Sequence, residues 1–120
     1  MTLDGDSGHP VSERVRLAGL AAQAIAATDG ITPTRGPAGR WQTTSESGSV
    51  DGVLAVEDGR GCIELDLHLA ARWPPAMPLQ LIAEQLRGRV RRSAAIIGMT
   101  QRLGAVSVAF DDVLAEASSS

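Results

Sequence analysis

The chain has 120 residues, with 11 basic and 14 acidic side chains, a formal net charge of −3, one cysteine and 43% apolar residues. That length supplies one hydrophobic core and excludes two independent ones. The single Cys62 excludes an internal disulfide and a multi-cysteine zinc site, and it suits a reducing compartment.

The first ten residues hold Asp4 and Asp6, lack a basic stretch and precede no cleavable apolar segment, so no signal peptide is expected. Residues 1–9 read as a flexible N-terminus, 10–113 as a single domain and 114–120 as a flexible tail. The first helix is expected to start near Pro10 to Ser12, where proline suits the first turn and Ser12 can cap exposed N–H groups. Its core stripe reads Val11, Val15, Ala18, Ala22 and Ile25, and Gly30 stops it. The longest nearly apolar run, Leu17 to Ala27, falls short of the roughly 20 residues that a membrane-spanning helix needs. The expected location is the cytoplasm, with any membrane association through a partner or the surface.

From Thr32 to Ser49 the sequence is rich in Pro, Gly, Ser and Thr without apolar periodicity, which predicts an exposed mobile loop. Trp41 is its one large apolar residue, expected to fold over an edge of the core or, failing that, to form a partner-binding tip. A hairpin follows, with strands at Val53 to Glu57 and Cys62 to Ala70 around a turn at Asp58 to Gly61. The second strand alternates Ile63, Leu65, Leu67 and Leu69 against Cys62, Glu64, Asp66 and His68, so one face is buried and the other wet. A second helix should run from about Pro78 to Ile97 on a stripe of Leu79, Ile82, Leu86, Val90, Ala94 and Ile97, ending at Gly98. A last strand spans Val106 to Phe110. The α-β-β-α-β order gives an α+β two-layer sandwich, a three-stranded sheet with both helices on one face. The pattern leaves open whether the last strand pairs with the first or the second.

The sequence resembles the alkaline shock protein family, the small envelope stress response proteins of Gram-positive bacteria. The likeness is carried by Arg16-Leu17-Ala18-Gly19-Leu20-Ala21 leading to Asp29-Gly30-Ile31, and by Gly52-Val53-Leu54-Ala55-Val56. It continues through Ile63-Glu64-Leu65-Asp66-Leu67-His68-Leu69 and Ile82-Ala83-Glu84-Gln85-Leu86-Arg87-Gly88-Arg89-Val90, and closes on Val106-Ser107-Val108-Ala109-Phe110-Asp111-Asp112-Val113. The resemblance implies a non-enzymatic cytoplasmic protein, held at the inner membrane face by a membrane-anchored partner and linked to cell-envelope homeostasis. It supplies no catalytic residue and no cofactor. The Pro/Gly-rich loop with Trp41 and the Trp73-Pro74-Pro75 segment depart from the family pattern.

Three surfaces carry candidate chemistry. Cys62, Glu64, Asp66 and His68 share one strand face, but in-line residues diverge over roughly 20 Å, too far to meet one ion, so a solvated face and no metal are expected. Arg87, Arg89, Arg91 and Arg92 form a basic run with no acid between Glu84 and Asp111, the alternative being a KH-like nucleic-acid surface. Such modules need a Gly-x-x-Gly loop between two helices, whereas Gly36-Pro37-Ala38-Gly39 lies elsewhere, and stacking aromatics are absent, so nucleic acid is not the expected partner. The third surface is apolar. Leu17, Leu20, Ala24 and Ala27 on the far side of the first helix, and a seam of Leu81, Gln85, Gly88, Arg92 and Ala95 on the second, predict a homo-oligomer or a protein partner, unless the long loop covers them.

Overall fold

A computed structural model describes residues 12–34, 36, 39–45 and 48–115. The expected flexible N-terminus and Val11 lie outside these residues, as does the tail beyond Ala115. Helix α1 spans Glu13–Ala26. Ser12 caps it, its Oγ accepting from the Arg14 N–H at 3.2 Å, and Glu13 places a negative charge at the positive end of the helix dipole. At the other end the Thr28 hydroxyl donates to the Ala24 carbonyl at 2.8 Å. Gly30, at φ +86°, then turns the chain into the sheet.

The buried face of α1 differs from the expected stripe. Leu17, Ala18, Ala21, Ala24 and Ile25 are buried, while Val15 and Ala22 are only half-buried. At about 100° per residue the face is turned by roughly 80° from the one expected. The helix packs on strands and on α2 at once, so its most buried line lies between the two contacts.

The sheet is organised around β5, Ile63–Trp73. Strand β4, Val53–Glu57, pairs antiparallel with its first half, and a short strand β1, Ile31–Pro33, pairs antiparallel with its second half. Strand β6, Leu103–Ala115, runs parallel along the other edge. The last strand therefore pairs with the long strand, and the sheet is three strands wide with one edge built in two pieces.

The join lies at His68, whose N–H donates to the Gly52 carbonyl at 2.7 Å while its carbonyl accepts from the Thr34 N–H at 2.9 Å. Between Thr34 and Gly52 the chain leaves the sheet and returns. Strands β2, Gln42–Ser45, and β3, Gly48–Asp51, form an antiparallel hairpin there, so the expected mobile loop holds three strands, β1 to β3. Its Ser/Thr-rich strands lack an apolar alternation because the hairpin docks through a polar group. The buried Thr43 hydroxyl donates to the Val53 carbonyl at 2.6 Å and accepts from the Ala55 N–H at 3.1 Å. That satisfies two backbone groups on the open edge of β4, a row that would otherwise be available to another strand.

Strand β6 is longer than expected because the register slips. Phe110 faces Leu69 and Asp112 faces Ala70, so Asp111 is an extra residue in a bulge, and strict alternation ends where the strand continues.

Helix α2, Leu79–Ile96, buries Ile82, Ala83, Leu86, Val90 and Ala94. Ile97 leaves the expected stripe and is exposed, because it stands past the last helical turn and Met99 fills the core instead. Both helices share one core with the odd-numbered residues of β5, where Ile63, Leu65, Leu67 and Leu69 are fully buried. Each such side chain contributes about 1.5–3 kcal/mol on burial.

In the β4–β5 turn the Asp58 carboxylate accepts from the Arg60 and Cys62 N–H groups at 2.8 and 3.2 Å. The bond from Arg60 leads in holding its pKa below the ordinary value. Its contribution to the turn is present at neutral pH and lost as pH falls through the lowered value.

Gly52 sits at φ +76°, and a Cβ there would stand 2.6 Å from the Pro33 Cβ and 2.9 Å from the His68 carbonyl oxygen. Gly59, at φ +81°, has open space around it. Urea unfolding of Gly52→Ala should show a loss larger than the ~1 kcal/mol of left-handed strain that Gly59→Ala carries alone. Equal losses would mean that the two ends of the insertion do not abut.

Candidate functional site

The structure redistributes the residues that the sequence suggested for an interaction surface. Leu17 is fully buried and Ala24 nearly so, Leu20 packs half-buried against the core, and only Ala27 is exposed. Most of the expected oligomer face on α1 is thus turned to the core, and the solvent-facing positions include Glu13, Arg16 and Gln23. Trp41 is half-buried and stacks on the His68 ring, centroids 4.1 Å apart and planes 9° from parallel. By the alternation of β5, His68 points away from the helices, so Trp41 covers the outer sheet face instead of the core edge and is not a free tip.

The other polar residues of that face disperse. The Cys62 thiol donates to the Gln101 carbonyl at 3.5 Å, Glu64 is exposed and Asp66 half-buried. His68 Nδ1 lies 2.8 Å from Asp111 Oδ2. Among the described residues no three such side chains are placed to hold a metal ion. Asp111 was not legible as a partner of His68, since the parallel register and the bulge bring it there.

On α2 the arginine run splits. At about 100° per residue, Arg87 and Arg91 fall on one side and Arg89 and Arg92 on the other. Arg102, further on, is taken by Glu13 at 2.7 Å.

Arg89 and Arg92 face a groove between the helices that is made of two hollows meeting at Ala27 and Arg89. One, about 410 Å³, reaches Arg72 and the Pro74–Met77 segment. The other, about 370 Å³, runs past Gln23, Ala24 and Ser93 to Ile96, whose side chain is 84% exposed. The seam of Leu81, Gln85, Gly88, Arg92 and Ala95 borders this groove, sharing Gln85 and Arg92 with its lining. Leu81 is 44% exposed, and the hairpin packs by α1 and β4 without covering α2. The Arg92 guanidinium folds back over Gly88, where an added Cβ would meet it at 3.3 Å.

A second apolar patch was missed. Trp73, Val113 and Leu114 are about half exposed where β5 and β6 run past β1, and the sequence pattern had ended β6 before reaching them. No helix among the described residues is long and apolar enough to cross a membrane. Comparison with protein-family models, with curated proteins and with solved structures finds no match.

Because Leu20 packs on the core, Leu20→Glu should lower stability by about 1–3 kcal/mol in urea unfolding without changing the association state. A variant as stable as the wild type that lowers the mass seen by light scattering would restore the α1 interface.

Proposed function

We propose that this chain is a non-enzymatic protein-interaction module in cell-envelope stress response or homeostasis. It acts from the inner membrane face through a membrane-anchored partner, as its resemblance to the alkaline shock proteins implies. The observation that supports a binding role most strongly is the α1–α2 groove, with a mixed polar and apolar lining, two arginines on one rim and the exposed Leu81 of the Leu81–Ala95 seam beside it.

Apolar side chains beside cations that have no partner among the described residues are the mixture from which protein contacts draw affinity and orientation. The division of the arginines into two pairs removes the single basic stripe that a nucleic-acid backbone would follow. Arg92 and Leu81 carry the contact, with Ala95 permitting close approach.

Affinity purification of the whole chain with the membrane fraction retained should recover one membrane-anchored protein in stoichiometric amount. Recovery should fall at least tenfold for the double variant Leu81→Glu, Arg92→Glu and be unchanged for Arg91→Gln. Copurification of RNA instead, weakening steeply with salt and lost on Arg87→Glu, would overturn the reading in favour of nucleic acid.

A further inference from the structure

We propose that the hollow between the end of α1 and the start of α2 binds an anionic amphiphile, a phosphate or carboxylate head on a short apolar tail. This goes beyond the protein-partner reading and does not depend on it.

The hollow measures about 410 Å³, within the range of small-molecule sites. Its wall carries the guanidinium-bearing residues Arg72 and Arg89, which come from different elements, β5 and α2. Neither side chain has a hydrogen-bond or ion-pair partner among the described residues. Two like charges held beside one concavity repel each other unless an anion enters between them, and arginine meets phosphate or carboxylate in a two-pronged geometry. Asp29 also lines the hollow, so one carboxylate stands against two guanidiniums and a positive balance remains.

Beside the polar Thr28 and Gln85, the wall carries an apolar stretch of Pro74, Pro75, Met77 and Ile82. This surface suits a tail and gives a bare inorganic anion nothing to use. The wall is also fixed in place: the Arg72 N–H donates to the Gly30 carbonyl at 2.8 Å, tying β5 to the turn after α1, and Ile82 is anchored in the core. A ligand therefore meets a backbone frame already shaped, and the ordering that binding requires falls chiefly on the two arginine side chains.

The test is calorimetric titration of the whole chain with octyl phosphate, with inorganic phosphate and octyl glucoside as the head-only and tail-only arms. Octyl phosphate should bind at one per chain, at least tenfold tighter than either control. Arg72→Gln and Arg89→Gln should each weaken it at least tenfold, Arg91→Gln should not, and all three should melt like the wild type because these side chains are exposed. In the wild type, the Met77 and Ile82 methyl resonances should shift while those of Val56 stay. Sedimentation with phosphatidylglycerol vesicles that is lost in Arg89→Gln would name a lipid as the source. Its absence, with octyl phosphate still binding, would name a soluble compound. No saturable binding, equal binding of octyl glucoside or inorganic phosphate, or binding indifferent to both arginines would overturn the proposal.

Discussion

Two hydrogen bonds to the backbone of one residue hold the architecture in its observed form. His68 donates to Gly52 and accepts from Thr34, so the excursion between those positions begins and ends on one residue of the central strand. The closure converts β1 and β4 into a single interrupted edge, keeps β5 paired on that side for nearly all its length, and sets β6 alone on the other. The side chain of His68 adds two further contacts, with Trp41 stacked on its ring and Asp111 against Nδ1. One residue thus joins the edge strand, the insertion and the bulge of β6.

The helices are placed by the same arrangement. Ile63, Leu65, Leu67 and Leu69 of β5 point to a single face and are fully buried, so α1 and α2 must both lie there, side by side. Each buries a face wider than a strip against the sheet alone would need. Where their surfaces part, at Ala27 and Arg89, the groove forms. The hairpin cannot fill it, because Thr43 fastens the hairpin to the far edge of β4. The groove is consequently a product of the topology: the insertion guards one edge of the sheet and leaves the seam of α2 open.

The parts of this fold governed by short-range pattern were legible in the sequence. The Ser12 cap, the alternation from Ile63 to Leu69, the stripe of α2 through Leu86 and Val90, and the turn at Asp58 each follow from neighbours within a few residues. What failed depends on partners far along the chain. Leu17 and Ala24 read as an outer face because nothing local says that α1 also meets α2. Thr43 and Thr44 read as loop because a strand docked through a hydroxyl leaves no apolar period. Asp111 ended the strand pattern because a bulge hides the strand that continues beyond it. Of the candidate surface, Leu81, Arg92 and Ala95 are exposed on α2 and Gly88 is half-buried, whereas Arg72 could not be joined to Arg89 without knowing that β5 ends beside α1.

Amide hydrogen exchange tests the central constraint most directly, since the Thr34 and His68 N–H groups are the two donors that close the insertion onto β5. The account predicts that both exchange within about an order of magnitude of the Leu65 and Leu67 amides, as members of one cooperatively opening sheet. Near-unprotected exchange at Thr34 and His68 while Leu65 and Leu67 stay protected would contradict it, showing that the insertion hangs free of the sheet.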